Sequence, residues 1–60
     1  MKMKMTYRLN GKKISRAEYL RFFAGMTRWI ENRAREAFYE GETVSMFKTG
    51  MGPLVITVTE

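Results

Sequence analysis

The sequence predicts a single α+β domain with the order β-α-β-β, in which one long amphipathic helix packs across a three-stranded antiparallel sheet. Residues 2–9 and 43–49 alternate between apolar and polar side chains, which is the period of a strand with one buried face. Residues 16–39 repeat apolar side chains at the helical period and contain no proline. Residues 54–59 are rich in β-branched side chains, which favour strands. One domain, residues 1–60, therefore accounts for the whole chain.

The first strand and its turn follow from local pattern. The odd positions of residues 2–9 are apolar and the even positions are polar. Asn10-Gly11 comes next and is a strong turn signal, because both residue types tolerate positive φ. We expect residues 12–14 to return briefly as a stub of strand before the helix begins.

The helix carries start and stop signals. Ser15 is the predicted N-cap, and Glu18 three residues later completes a capping box. Gly41 is the predicted C-cap. At 100° per residue, nine side chains fall within an arc of about 120° and form the predicted core-facing stripe. They are Tyr19, Leu20, Phe23, Met26, Thr27, Ile30, Ala34, Ala37 and Phe38.

The two C-terminal strands are predicted to form a hairpin through the loop at residues 49–53. The last strand is the most apolar and is safest in the middle of a sheet, so we expect the order 1-3-2, all antiparallel. The first strand then lies at an edge, protected by its lysines or paired with another copy. The outer face is expected to hold Lys4, Thr6, Arg8, Ser45, Phe47, Thr49, Val55, Thr57 and Thr59, with Lys12 and Lys13 at one end.

The composition excludes most catalytic chemistry. The chain has no cysteine and no histidine, and all six of its acidic residues are glutamates. It therefore has no disulfide, no thiol nucleophile and no imidazole base or metal ligand. No glycine-rich phosphate loop is present either. We expect no enzymatic activity, no cofactor and no metal site.

The charge points to an acidic partner. Eleven lysines and arginines against six glutamates give a formal net charge of +5. Nucleic acid or an acidic protein surface is the expected partner of such a chain. No segment is long and apolar enough to span a membrane, and no secretory signal is present, so a cytoplasmic location is the default expectation.

The outer side of the predicted helix is the first candidate binding surface. It combines arginines seven residues apart, which form one basic ridge, with two aromatic residues on the neighbouring ridge. Its members are Arg21, Phe22, Gly25, Arg28, Trp29, Asn32 and Arg35.

Gly25 lies between these two ridges. A glycine inside a helix costs about 1 kcal/mol relative to alanine, so an offsetting reason is expected. Close approach of a partner's backbone is one reason, and a Trp29 side chain lying over the glycine is another. Phe22 and Trp29 could also wrap round the helix to cover a sheet edge.

The outer side of the sheet is the second candidate surface. It is rich in threonine, carries one aromatic side chain and is basic. Its candidate binding residues are Lys4, Arg8, Lys12, Lys13 and Phe47. The alternative interpretation is an ordinary solvated face, since threonine is simply a good strand former.

These features predict a small basic binding module without enzymatic activity, which binds nucleic acid through the helix ridge or the sheet face. In size, charge and lack of catalytic residue types the chain is similar to accessory proteins of phages and mobile elements. That similarity implies the alternative of an inhibitor that binds a host protein, such as a defence or transcription complex. A structural homo-oligomer, of which a homodimer is the simplest form, is the third hypothesis.

Overall fold

A four-stranded antiparallel sheet with two helices on one face makes up residues 3–60, the part of the chain that the computed structural model describes. The elements are β1 (Lys4–Leu9), β2 (Lys12–Ile14), α1 (Arg16–Phe22), α2 (Thr27–Tyr39), β3 (Val44–Thr49) and β4 (Gly52–Thr59). The strand order is β2-β1-β4-β3. The predicted α+β class is confirmed. The three predicted strands correspond to β1, β3 and β4, and they lie in the predicted order 1-3-2, with β4 in the middle. Lys2, the first residue of the predicted strand, lies outside the described residues.

The prediction of three strands is wrong, because residues 12–14 form a true fourth strand. Asn10 and Gly11 both adopt positive φ, 55° and 79°, and reverse the chain as their sequence predicts. The short β2 then pairs with the second half of β1, with Ile14 opposite Tyr7. Because β2 pairs with residues 7–9, the expectation that β1 is an edge strand is wrong for this half of the strand. Residues 4–6 of β1 pair with β4 alone.

The prediction of one long helix is wrong as well. The Ser15–Glu18 capping box is present: the Glu18 amide donates to Ser15 Oγ at 3.1 Å, and the Ser15 amide donates to Glu18 Oε1 at 3.0 Å. The helix that it starts ends at Phe22, and α2 begins only at Thr27. Residues 23–26 form turns between the two helices.

The break explains Gly25. Its φ is +88°, a conformation that strains any residue with a side chain. A Cβ atom placed on Gly25 would meet nothing within 4 Å, so neither an overlying Trp29 side chain nor close packing accounts for the glycine. The backbone conformation of the turn accounts for it.

The core lies between the helices and the inner face of the sheet. Of the nine predicted stripe residues, four are fully buried, and three (Thr27, Ala37 and Phe38) are half-buried. Leu20 and Met26 are 40% and 47% exposed. Met26 lies in the turn between the helices, and Leu20 lies in α1 beside the cleft between α1 and α2. The buried set is Tyr7, Tyr19, Phe23, Ile30, Ala34, Leu54, Ile56 and Val58.

Strand β3 faces the opposite way from its prediction. Phe47 pairs with Leu54 and Ser45 pairs with Ile56, and both partners are buried under the helices. Ser45, Phe47 and Thr49 therefore belong to the inner face. The outer positions of β3 are Val44, Met46 and Lys48, because directly opposed residues in a ladder point to the same side.

The two hairpin turns are joined at one end of the sheet. Asn10 Nδ2 donates to the Met51 carbonyl at 2.9 Å, and the Asn10 amide donates to the Pro53 carbonyl at 3.0 Å. A Cβ atom on Gly52, whose φ is +116°, would collide with the Asn10 side chain. Only glycine fits there, and the contact fixes the β1–β2 turn against the β3–β4 turn.

Candidate functional site

The outer face of the sheet has no helix over it, since α1 packs on β1, and α2 packs on β3 and β4, from the inner side only. We call this surface the open sheet face. Strand pairing and alternation define its members on all four strands among the described residues. They are Lys4, Thr6, Arg8, Lys13, Val44, Met46, Lys48, Pro53, Val55, Thr57 and Thr59.

Charge on the open sheet face is of one sign. Among residues 3–60 the face carries four exposed cations, Lys4, Arg8, Lys13 and Lys48, and none of the six glutamates. The glutamates lie in the helices, in the segment between α2 and β3, or after β4. The helical side of the molecule is mixed in sign, so most of the net charge of +5 belongs to this one face.

Arg8 and Lys13 are direct cross-strand neighbours on this face. Like charges placed directly opposite one another on a sheet destabilise it. No glutamate on the described part of the open sheet face offsets this pair. An anion held between the two side chains would remove the cost.

The centre of the open sheet face is less polar than its rim. Thr6 and Thr57 form a directly opposed, half-buried pair that presents two hydroxyl groups. Val55 lies beside them, and Val44 and Met46 extend the apolar area to the edge strand, where they are 54% and 67% exposed. The face therefore combines cations, hydroxyl donors and an apolar margin along β3.

The candidate binding residues predicted for the outer sheet face lie on both sides of the sheet. Lys4, Arg8 and Lys13 lie on the open sheet face. Lys12 is opposite Leu9 and so belongs to the inner side, at the β2 edge. Phe47 also lies on the inner side, where its ring meets the Trp29 ring edge to face at a centroid distance of 6.0 Å.

The predicted helix ridge is also divided, because the break separates Arg21 on α1 from Arg28 and Arg35 on α2. Arg28, Asn32 and Arg35 line one side of a cleft of about 300 Å³ between the helices, together with Arg16. Arg21 does not line it. The heptad spacing of the arginines therefore does not produce one continuous ridge.

A cluster of ionised side chains occupies that cleft. Glu31 Oε1 lies 3.5 Å from Arg35 Nη2, and Glu31 Oε2 lies 3.7 Å from Arg16 Nη1. Arg16 Nη1 also donates to the Tyr7 hydroxyl at 2.6 Å, and Arg35 Nη1 donates to Asn32 Oδ1 at 2.8 Å. Glu31 pairs with both guanidinium groups and offsets one of their two positive charges, and the cluster joins α1, α2 and β1.

Burial raises the pKa of both tyrosines that face this cluster. At Tyr7 the Arg16 guanidinium opposes part of the effect on the pKa, since it favours the phenolate. At Tyr19 the Glu31 carboxylate adds to the effect of burial and raises the pKa further. Both hydroxyls therefore stay protonated at neutral pH and act as hydrogen-bond groups.

Phe22 and Trp29 lie on different helices. Phe22 ends α1 and is at the border of exposure, whereas Trp29 in α2 is 57% exposed. The contact of Trp29 with Phe47 brings it to the β3 edge. The sequence interpretation expected both Phe22 and Trp29 to cover a sheet edge, and the contact is seen for Trp29. The Arg33 guanidinium lies over the Trp29 ring at 5.9 Å from its centroid, a cation–π arrangement.

Sequence reasoning missed three residues that the structure makes prominent. Lys48 was left out because β3 was predicted with the opposite face outward. Arg16 and Glu31 were left out because their cluster depends on the positions of two separate helices. The i,i+4 spacing of Glu31 and Arg35 signals that pair in the sequence, but no local signal points to the Tyr7–Arg16 contact.

Within residues 3–60, no group of three or more His, Cys, Asp or Glu side chains is arranged to hold a metal ion. None of the helices in this part of the chain is long and apolar enough to cross a membrane. Comparison with protein-family models, with curated proteins and with solved structures found no significant match to the chain.

Proposed function

We propose that this chain binds double-stranded nucleic acid through the open sheet face, by contacts from its cations and threonine hydroxyls to backbone phosphates. The observation that carries the proposal is the separation of charge: four exposed cations and no glutamate on the described residues of one uncovered face. Phosphate contacts supply most of the affinity of non-specific nucleic-acid binding, and a one-signed face attracts a polyanion from a distance.

Two local features support phosphate as the ligand. The Arg8–Lys13 pair lacks an acidic neighbour on its face and would be stabilised by a phosphate lying between the two side chains. The Thr6–Thr57 pair on the adjacent row can donate hydroxyl hydrogens to neighbouring phosphate oxygens. Cations and hydroxyl donors together are the usual composition of a phosphate-binding surface.

A duplex suits this face better than a single strand. Binding of single strands relies on aromatic side chains on which the bases stack. Phe47 was the only aromatic residue predicted for the face, and it lies on the other side of the sheet. With no aromatic side chain on the described part of the open sheet face, the contacts that remain are those to the backbone.

The experiment is a salt-dependent titration of the protein with a labelled mixed-sequence duplex and with one of its separated strands. Four phosphate contacts predict a slope of log K against log salt of about −3.6, or roughly 150-fold weaker binding at ~200 mM than at ~50 mM salt. The duplex is expected to bind more tightly than the single strand at each salt concentration.

The fluorescence of Trp29 identifies the binding side in the same titration. This tryptophan lies on the helical side, so a duplex on the open sheet face should leave its emission almost unchanged. Strong quenching would assign the contact to the helices instead. Absence of binding at low salt would reject nucleic acid as the partner and favour a host protein.

A further inference from the structure

The outward edge of β3 is a free row of backbone hydrogen-bonding groups. The Val58 amide donates to the Thr43 carbonyl at 2.8 Å, which sets the phase of the β3–β4 ladder. In an antiparallel ladder only alternate residues bond to a given neighbour, so residues 43, 45, 47 and 49 face β4. Lys48 is opposite Pro53, which has no N–H to donate, in agreement with this phase. The amides and carbonyls of Val44, Met46 and Lys48 therefore point away from the sheet.

Exposed apolar side chains flank this edge on both faces. Val44 and Met46 lie on the outer side and are both more than half exposed. On the inner side Phe47 and the exposed Trp29 lie beside the same edge, next to a groove of about 240 Å³ that Phe47 helps to line. An added strand would pair with the backbone and cover apolar area on both of its faces.

We propose that the β3 edge binds a second copy of this chain, with the two β3 strands antiparallel and Met46 opposite the partner's Met46. This register places Val44 opposite the partner's Lys48, and the two-fold axis repeats that pair. In this register the outward amides and carbonyls of Val44, Met46 and Lys48 are paired in both copies, which gives about six backbone hydrogen bonds. Shifted registers leave some of these groups without a partner.

The charges of the edge are complementary in this register. Lys48 is directly opposite the partner's Val44, and the partner's Glu42 comes two residues before that Val44, outside β3 and beside the groove along the edge. Long side chains reach a diagonal neighbour, so the two-fold axis creates two such ion pairs. A register that centred the pairing on Lys48 would instead place two lysines opposite each other.

The same pairing covers the exposed tryptophan. On the inner face Phe47 is opposite the partner's Ser45 and diagonal to the partner's Phe47, so the two Phe47 rings come together near the axis. Each Trp29 ring contacts its own Phe47, so both tryptophans reach the same seam. A buried aromatic cluster of this kind is a usual centre of a stable interface.

Self-association also compensates for the low stability expected of so short a chain. A domain of about 60 residues buries too little surface for more than marginal stability. This one has no cysteine, and residues 3–60 contain no group of side chains arranged to hold a metal ion. Pairing at β3 would continue the open sheet face across both copies. The proposal stands on the edge geometry alone and does not depend on nucleic-acid binding.

The test is cross-linking with single cysteines in a chain that has none of its own. Met46→Cys should form a disulfide-linked dimer rapidly in mild oxidant. Directly opposed, hydrogen-bonded residues have Cα atoms about 5.5 Å apart, a separation that a disulfide spans.

Val44→Cys is the matched control on the same strand and face. The two Val44 positions of the dimer are offset by four residues along the strands, roughly 13 Å, which a disulfide does not span. Cross-linking of Met46→Cys alone supports the proposal. Equal cross-linking of both variants, or none in either, overturns it.

Sedimentation equilibrium of the wild-type chain from micromolar to millimolar concentration gives an independent test. A monomer–dimer equilibrium with a blue shift of Trp29 emission at high concentration is expected. Met46→Lys, which sets two lysines opposite each other at the axis, should weaken the association constant by more than about tenfold. Met51→Lys adds the same charge in the β3–β4 turn and should leave it unchanged. A wild-type monomer at every concentration, or equal effects of the two lysines, overturns the proposal.

Discussion

The ring of Tyr19 in α1 stacks on the ring of Tyr7 in β1, with centroids 4.1 Å apart and planes within 10° of parallel. The Phe23 ring also packs against Tyr19, with its centroid 5.8 Å from that of the Tyr19 ring. Tyr7 and Tyr19 are both buried, so this stack is the main attachment of the short first helix to the sheet. It also places the two hydroxyl groups beside Arg16 and Glu31.

Removal of the Tyr19 ring should abolish most of the stability of the fold. We expect Tyr19→Ala to lower the free energy of unfolding by about 3–5 kcal/mol, since it opens a cavity under α1. Tyr19→Phe keeps the ring and loses the hydroxyl, which donates a long hydrogen bond of 3.4 Å to the Thr27 carbonyl and lies near Glu31, so it should cost no more than about 1 kcal/mol. Urea denaturation followed by circular dichroism measures both. Similar losses in the two variants would show that the hydroxyl and not the stack stabilises the contact.

The buried tyrosines predict a loss of stability at alkaline pH. Burial raises the pKa of Tyr7 and Tyr19 in the folded chain above the value in the unfolded chain. Their contribution to stability is therefore fully present below about pH 10 and is lost as the pH rises through the folded-state values. Tyr19→Phe removes one of these groups and should flatten the alkaline decline. Denaturation midpoints of wild type and variant across the alkaline range test this; parallel declines would contradict it.

Gly25→Ala distinguishes the broken helix from the continuous one. In a continuous helix this change would stabilise the protein by about 1 kcal/mol. At the observed φ of +88° it should destabilise it by about 1–2 kcal/mol, because the Cβ atom crowds the backbone.

Gly50→Ala is the matched control for Gly25→Ala. Gly50 lies in the β3–β4 turn, has no positive φ, and has open space where a Cβ atom would go. Its replacement should change the free energy of unfolding by less than about 0.5 kcal/mol. A gain of stability in Gly25→Ala would restore the single-helix interpretation.

Paired charge variants separate the two candidate nucleic-acid surfaces. The double variant Arg8→Gln, Lys13→Gln removes two charges from the open sheet face and should reduce the salt slope of duplex binding by about 2. The double variant Arg21→Gln, Arg28→Gln removes the same charge from the helices and should leave the slope nearly unchanged. Equal effects would mean that binding depends on net charge alone, and the reverse result would assign the interface to the helices.

Much of the fold was predictable because its signals are local. The Asn10-Gly11 turn and the Ser15–Glu18 capping box depend on residues within a few positions of one another. The alternation of β1 and the apolar content of β4 likewise placed those strands next to each other. Of the candidate binding residues, Lys4, Arg8 and Lys13 were placed on the face that the structure leaves uncovered.

The errors share a different origin. A glycine within an apolar helical pattern is compatible with a continuous helix and with a turn, and burial of both Phe23 and Ile30 is achieved here with a turn between them. Alternation in β3 defines two faces but does not say which is buried. Pairing of Phe47 with Leu54 decides that, and it moves Phe47 inward and Lys48 outward.

By itself the sequence determined the class of the fold, the positions of β1, β3 and β4, the start of the first helix and the excess of positive charge. These properties depend on composition and on contacts between near neighbours along the chain. Only the tertiary structure decided where the helix breaks, that β2 joins the sheet, and that the described cations of the strands gather on one uncovered face. Each of these depends on which distant residues become neighbours, because the free energy of burying one face of a strand or helix is set by the partner that covers it.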